Sequence, residues 1–122
     1  MIQLYKRMQR MREKYVDTLA KLYEYATTVY SKKQYTQWYD NQEGGYTYNS
    51  FKGKCDSLSK KLTQYGIGAG DKVAILSQSM PNWSVAFFSI VPFGRIAIPI
   101  LPDSSVNEVT NILEHSESKV IF

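Results

Sequence analysis

Three closely spaced glycines, Gly66, Gly68 and Gly70, are the first residues of this chain whose type and spacing could do chemistry. Glycines hold phosphates when they follow a strand and open a helix, because the helix amides then face the anion. Here the order is reversed, since the apolar pattern predicts a helix before the glycines and a strand after them. The spacing therefore favours a helix C-terminal cap and a turn over a phosphate site.

The segment Ser77–Pro81 is a second candidate, because it follows a predicted strand and precedes a predicted helix. An α/β sheet commonly places its ligand at such a turn. This turn has two hydroxyls, but it has no glycine for close backbone approach and no lysine for charge. We interpret Ser79 as a helix cap and not as a ligand-binding residue.

The titratable candidates also favour structural interpretations. His115, the only histidine, falls near a predicted helix C-terminus, where the dipole suits it; a nucleophile–histidine–acid triad stays open, but no motif marks one. Cys55 lies on an apolar helix face and is interpreted as a buried thiol. Asp40 and Glu43 share a turn-rich loop, where no burial would raise a carboxyl pKa for acid catalysis. We assign no catalytic, cofactor-binding or metal-binding residue.

Composition restricts the class of protein. The 122 residues, 43% hydrophobic and 21% charged, suit one globular domain or a piece of a larger one. The net charge of +4 arises in residues 1–14, which hold five basic residues and one acidic residue, while the remainder balances. That balance argues against a general nucleic-acid surface. A single cysteine, no secretory signal and no membrane-length apolar run predict a cytoplasmic protein.

The basic start has two interpretations, which the sequence leaves open. It is a solvated helix face covering the domain, or it is an interfacial helix making weak contact with an anionic membrane surface through residues 1–14. Both rest on the same pattern, in which Lys6, Arg7, Arg10 and Lys14 oppose Leu4, Met8, Met11 and Tyr15.

The elements that would position these residues begin with a helix over 1–31, a β-hairpin over 34–48 and a second helix over 49–66. Asn49 is the predicted cap of the second helix, and Gly66 its end. The predicted apolar stripe of the first helix continues through Leu19, Leu22, Ala26 and Val29. The predicted apolar seam of the second helix comprises Phe51, Cys55, Leu58, Leu62 and Tyr65.

Residues 71–122 change to a β-α-β-α-β rhythm. Strands are predicted at 73–76, 96–98 and 119–122, with Pro81 in the first turn of one helix and a Ser105–Glu108 capping box opening the other. Short apolar strands separated by helices predict an α/β fold with a parallel sheet covered on both faces. Because the chain stops inside the third strand, we expect more protein downstream, and an exposed edge near Phe122 that could pair in a homodimer.

Ordered motifs across this region resemble the N-terminal segment of the adenylate-forming (AMP-binding) superfamily, in particular the long-chain fatty acid–CoA ligases. The resemblance covers about residues 14–122. One departure is Arg95, which follows Gly94 where a small residue is usual, and we interpret it as a tolerable structural change. The matching motifs are Thr47-Tyr48, Tyr65-Gly66-Ile67, Gly70–Leu76, Pro81-Asn82-Trp83, Ala86–Phe88, Leu101–Asp103, Asn111–Ser116 and Lys119–Ile121.

The resemblance implies the start of the acetyl-CoA synthetase-like fold and, for a parent enzyme, a two-step reaction. Mg-ATP and a fatty acid would form an acyl-adenylate, and coenzyme A would then displace AMP. The family's phosphate loop and catalytic lysine have no counterpart in this sequence, so the segment alone is predicted to be architectural, inactive and without a bound cofactor. Its expected partner is the remainder of the ligase chain. The alternative is an autonomous, non-enzymatic nucleotide- or lipid-binding module.

Overall fold

The computed structural model of the protein describes residues 1–13 (with side chains for 1–7), 16–40 and 44–122. The helices are α1 Ile2–Glu13, α2 Leu19–Val29, α3 Tyr48–Gln64, α4 Pro81–Ile90 and α5 Val106–Ser116. The strands are β1 Gln34–Thr36, β2 Tyr46–Thr47, β3 Lys72–Leu76, β4 Ile96–Ile100 and β5 Val120–Ile121. A short 3₁₀ turn, Val91–Phe93, follows α4.

The single helix predicted over residues 1–31 is wrong, because α2 has its own beginning. Thr18 has an extended backbone, and its hydroxyl accepts a hydrogen bond from the Lys21 amide at 3.2 Å. That is the geometry of an N-cap, which starts a new helix instead of continuing an old one. The predicted pair of Asp17 and Lys21 is present at 2.8 Å. The predicted helical positions at 14 and 15 lie outside the described residues.

The hairpin is confirmed as antiparallel and separate from the main sheet, although its strands are short. It needs Gly45, whose φ is +104° and where a Cβ would overlap the Thr36 carbonyl. Asn49 is not the cap of α3. Thr47 takes that place by accepting a hydrogen bond from the Ser50 amide at 3.1 Å. The helix therefore begins at Tyr48, inside the segment assigned to the hairpin.

The second sheet is parallel with strand order β4-β3-β5, so the predicted α/β rhythm is confirmed. The β3-α4-β4 connection moves one strand to one side, and β4-α5-β5 moves two strands back. Right-handed crossovers therefore place α4 and α5 on opposite faces. The α5 face is thinly covered, since α5 buries no residue and both Ile96 (45% exposed) and Ile121 (44%) face solvent.

Helix α4 forms the centre of the core, because apolar clusters lie on both of its sides. Toward the sheet, Ile90 packs with Val73 and Ile75 of β3. Away from the sheet, Val85 packs with Phe51 and Cys55 of α3 and with Tyr23 of α2. A helix with two buried sides cannot show a single apolar stripe, which explains why its pattern is nearly continuous.

The predicted apolar faces of α2 and α3 were partly wrong. Helix α2 buries Tyr23 and Thr27, whereas the predicted stripe residues Leu19 and Val29 are exposed. The reason is that the polar atoms of the buried residues have partners: the Thr27 hydroxyl donates to the Tyr23 carbonyl oxygen at 2.7 Å. On α3 the predicted seam is buried except for Leu58, which is partly buried, and Tyr65, which is 72% exposed.

Gly53→Ala is expected to stabilise the protein by about 0.5–1 kcal/mol, since alanine has the higher helix propensity. Gly53 is exposed in the middle of α3, and a Cβ there would have no atom within 4 Å. Urea unfolding measures the change. Gly45→Ala is the matched control, and it should destabilise because its Cβ would meet the Thr36 backbone. A lower unfolding free energy for Gly53→Ala would contradict this account of α3.

Candidate functional site

The glycine loop is the C-terminal cap of α3, as the sequence predicted. Gly66 takes a left-handed conformation with φ +78°. The Ile67 amide donates to the Leu62 carbonyl at 3.0 Å, and the Gly66 amide to the Thr63 carbonyl at 2.9 Å. These two bonds and the packing of Ile67 against Leu62 form a Schellman motif.

Four of the five amides from Gly66 to Gly70, all except that of Ala69, donate to acceptors within the protein. Besides the two cap bonds, the Gly68 amide donates to the Asp71 carboxylate at 2.8 Å. The Gly70 amide donates to the Gly94 carbonyl, also at 2.8 Å. The carboxylate also places a negative charge where an anion would have to sit. The loop is therefore a turn that joins α3 to β3.

Asp71 has the most evident role in this loop. One of its oxygens accepts from the Gly68 amide, and the other lies 2.7 Å from Nζ of Lys119, just before β5. Residue 71 therefore connects the turn after α3 to the beginning of the third parallel strand. The Lys119 ammonium and then the Gly68 amide hold the Asp71 pKa below its usual value. The acidic residue of the Gly-Asp-Lys-Val motif is structural here.

Asp71→Asn is expected to destabilise the protein at neutral pH by an amount that shrinks in acid. The folded pKa is depressed, so the carboxylate's contribution is complete above the unfolded pKa of about 3.9. It disappears as the pH falls through that value toward the folded pKa. Urea unfolding of both proteins between neutral and acidic pH measures this, with the exposed Asp103→Asn as control. A difference that does not vary with pH would contradict the assignment.

The turn after β3 differs from the sequence-based interpretation. The N-cap of α4 is Met80, which makes no side-chain cap bond, so Ser79 as the cap is wrong. Pro81 occupies the first helical turn, as predicted, and it forces the residue before it into the extended conformation of an N-cap. Ser79 therefore lies one residue too early. It is exposed, on the rim of an open cleft that the hairpin residues Trp38 and Tyr39 also line.

The structure does not bring the other candidate catalytic or metal-binding residues together in one site. Cys55 is fully buried in the α2–α3–α4 cluster, and burial followed by the nearby Asp56 charge raises its pKa to about 12. That thiol is structural, as predicted. His115 is exposed in the last turn of α5. Asp40 is exposed, and Glu43 lies outside the described residues. Within the described ranges, no group of His, Cys, Asp and Glu residues could hold a metal ion.

Arg95 is the residue whose importance the sequence analysis missed. Its side chain is 5% exposed, and its guanidinium donates to the Ile67 carbonyl at 2.9 Å. It also donates to the Ser59 hydroxyl at 2.8 Å and to the Thr63 hydroxyl at 2.7 Å, both on α3. Burial lowers the pKa of Arg95, and the Asp71 charge opposes that effect. Arg95 thus connects the beginning of β4 to the end of α3. The sequence signal that could have indicated a buried polar partner was Ser59, which falls at helical spacing from Cys55 and Leu62 of the predicted apolar seam.

These features together define a structural α/β subdomain: a hairpin and helical layer packed on a three-stranded parallel sheet. Among its motif residues, Thr47 caps α3, Gly66 ends it, Asp71 holds the turn before β3 and Pro81 begins α4. In the part of the chain that the structure describes, no helix is long and apolar enough to cross a membrane.

The chain belongs to the AMP-binding enzyme family, whose family model matches residues 24–122. It is 36% identical over 61 residues to the long-chain-fatty-acid–CoA ligase FadD15 of Mycobacterium bovis, which covers 50% of this chain and 10% of the relative. It is 26% identical over 86 residues to the medium-chain fatty-acid–CoA ligase of Escherichia coli, which covers 68% of this chain and 15% of the relative.

A solved structure agrees with this family assignment. The N-terminal domain of FACL13 from Mycobacterium tuberculosis matches 87% of this chain and 27% of that chain, with a TM-score of 0.79 and 25% identity. The chain therefore corresponds to a small part of each relative's length. The expected superfamily resemblance and α/β fold are both confirmed.

Proposed function

We propose that this chain contributes the N-terminal part of the large domain of a fatty acid–CoA ligase with a preference for long acyl chains. The parent reaction would use Mg-ATP to convert a fatty acid into an acyl-adenylate, with loss of pyrophosphate. The thiol of coenzyme A would then displace AMP. The similarity to the long-chain-fatty-acid–CoA ligase FadD15 is the observation that carries the proposed reaction, and the match to the N-terminal domain of FACL13 supports the proposed position in the parent chain.

The role of the segment itself is proposed to be architectural. Three observations support this role. Four of the five glycine-loop amides donate to acceptors within the protein, and Asp71 of that loop forms an ion pair with Lys119. The Cys55 thiol is buried. The face of the sheet beneath α5 is incompletely covered, which fits further protein packing there. We propose the remainder of a ligase chain as that covering partner, in a cytoplasmic enzyme; a homodimer through the same face is the alternative.

The test is to read the native coding sequence through and beyond codon 122 and to assay the full product. We expect formation of acyl-CoA from a long-chain fatty acid that requires both ATP and coenzyme A. The 122-residue chain, assayed alone for acid-dependent ATP–pyrophosphate exchange, should show none. A stop codon directly after Phe122 would reject the ligase role for this protein. Exchange activity by the chain alone would reject its inactivity.

A binding module remains a second candidate because of one cleft of about 240 Å³. An apolar cavity somewhat smaller than this can hold a benzene-sized molecule. Calorimetric titration of the folded chain with fatty acids, ATP and AMP tests this candidate, and flat titrations would reject it. Ala26→Phe should fill the cleft and abolish any fatty acid signal. The cleft is lined by Leu22, Tyr23, Ala26, Thr27, Tyr35, Tyr48, Phe51 and Phe88.

A further inference from the structure

The exposed side of α3 is basic. The helix contains four lysines and one aspartate, and Lys52 pairs with that aspartate, Asp56, at 3.0 Å. The other three lysines, Lys54, Lys60 and Lys61, are exposed, and a rotation of about 100° per residue places them within one sector of about 120°. In the part of the chain that the structure describes, none of the three forms an ion pair. We call these three residues the lysine surface of α3.

The outer side of α5 carries the opposite charge. Residues 103–117 contain four acidic residues and no lysine or arginine. Val109, Ile112 and Leu113 are half-buried on the side of α5 that meets the sheet. Glu114 projects from the opposite side of the helix, where it is exposed. No acidic residue between positions 103 and 117 forms an ion pair with another described residue. We call this outer side, with Glu114 at its centre, the acidic surface of α5.

The two surfaces lie at opposite ends of the molecule. Helix α3 packs on α4 through the side opposite its lysine surface, and α4 covers one face of the sheet while α5 lies on the other. The stacked layers therefore begin with a positive surface and end with a negative one. Each surface also has an exposed apolar side chain near its charges: Tyr65 at the end of α3 is 72% exposed, and Val106 of α5 is 81% exposed.

A molecule with this charge distribution is complementary to a second copy of itself. The lysine surface of one copy meets the acidic surface of the next with unlike charges opposed, and the aliphatic stems of the lysines can cover Val106. Because the two surfaces are different parts of the chain, such a contact is head to tail. It leaves one lysine surface and one acidic surface free at its ends, so the same contact can repeat.

We propose that the chain self-associates head to tail, with the lysine surface of α3 on one copy seated on the acidic surface of α5 on the next. The contact uses the outer side of α5 and not the sheet face beneath it, so this proposal does not rest on the ligase role. The basic residues 1–14 of a neighbouring copy are the competing occupant of the acidic surface, and the test separates the two.

The first measurement is sedimentation equilibrium of the full 122-residue chain over a range of concentrations. At about 50 mM salt, we expect the average mass to rise with concentration beyond that of a dimer, because a head-to-tail contact does not close at two copies. At about 0.5 M salt, where screening is strong, the chain should return to a monomer. An average mass that stays monomeric at low salt, or that stops at the dimer, would overturn the proposal.

Lys61→Glu is expected to weaken the association constant at least tenfold, because it opposes like charges in the contact. The substitution lowers the net charge by two units from +4, which by itself would reduce repulsion between copies. A loss of association would therefore come from the local contact. Lys6→Glu makes the same change of charge outside α3 and is the matched control, which should not weaken association. An equal loss for Lys6→Glu would assign the contact to residues 1–14 and overturn the proposal.

Glu114→Lys should weaken association as Lys61→Glu does, since it reverses the charge of the other surface. An equimolar mixture of these two variants should recover most of the association, because each variant keeps the surface that the other has lost. Both side chains are exposed, so both variants should keep the wild-type thermal midpoint. A mixture that associates no better than either variant alone, or variants that associate like the wild type, would show that the copies meet elsewhere.

Discussion

Replacing Arg95 with alanine is expected to lower the free energy of unfolding by about 3–4 kcal/mol. The substitution removes a buried guanidinium that donates to Ser59, Thr63 and Ile67, and it leaves the acceptors of the two buried residues, Ser59 and Ile67, without that donor. The Ile67 carbonyl is the most costly of them, because a buried backbone acceptor without a donor keeps its full desolvation penalty. Urea unfolding at neutral pH measures the loss.

Two further substitutions at this position separate shape from hydrogen bonding. Arg95→Met fills most of the space but donates no hydrogen bond, so its loss should stay near that of alanine. Arg95→Lys keeps the charge, but one ammonium cannot reach acceptors arranged around a planar fork, and we expect a loss of about 2 kcal/mol. Lys60→Ala, exposed on α3, is the control and should change stability by less than about 0.5 kcal/mol. A wild-type midpoint for Arg95→Ala would show that the network contributes nothing.

Replacing Tyr23 with alanine is the second large effect, at about 3–5 kcal/mol. The Tyr23 ring is 5% exposed and lies about 6 Å, centre to centre, from the rings of Phe51 (6.2 Å) and Phe88 (6.0 Å). Its hydroxyl donates to the Asp56 carboxylate at 2.8 Å. Burial and that hydrogen bond raise the pKa of Tyr23 above its ordinary value. Tyr23 therefore contributes both ring packing and a hydrogen bond to the attachment of α2 to the core.

Tyr23→Phe distinguishes the ring from the hydroxyl. It keeps the aromatic packing and removes one hydrogen bond, so the expected loss is about 0.5–1.5 kcal/mol. Tyr25→Ala changes an exposed tyrosine of the same helix and is the matched control. Hydrogen exchange should show α2 opening in Tyr23→Ala and not in Tyr25→Ala. Equal losses for the two alanine variants would mean that Tyr23 does not anchor the helix.

The two predictions with large effects concern Arg95 and Tyr23, and the sequence patterns predicted a buried structural role for neither residue. Arginine after Gly94 was interpreted as a tolerable departure from the family pattern, and Tyr23 lay outside the predicted apolar stripe. Both are amphipathic side chains, and a hydrophobic pattern assigns such residues to the surface. Whether their polar atoms find partners depends on residues of α3, which lie 32 to 36 positions from Arg95 and 29 to 33 positions from Tyr23 in the sequence.

The sequence by itself determined the local features of this protein. The glycine order identified the cap of α3, the Ser105–Glu108 spacing identified the capping box of α5, and the short apolar strands identified a parallel sheet. Each of these signals is complete within one turn or one strand, where backbone geometry and hydrogen bonding are decided by neighbouring residues. The same locality explains the capping errors, since Thr47, Asn49 and Ser79 all have the chemistry of a cap.

Only the tertiary structure decided which motif residues serve the fold and which faces are buried. The Asp71–Lys119 ion pair joins two residues that are far apart in sequence, and it adds to the predicted turn between α3 and β3 a connection to the strand β5 that no local pattern showed. The two-sided burial of α4 and the rotated face of α2 also depend on what packs against them. Packing partners are set by non-local contacts, and those contacts override the periodic pattern of any single element.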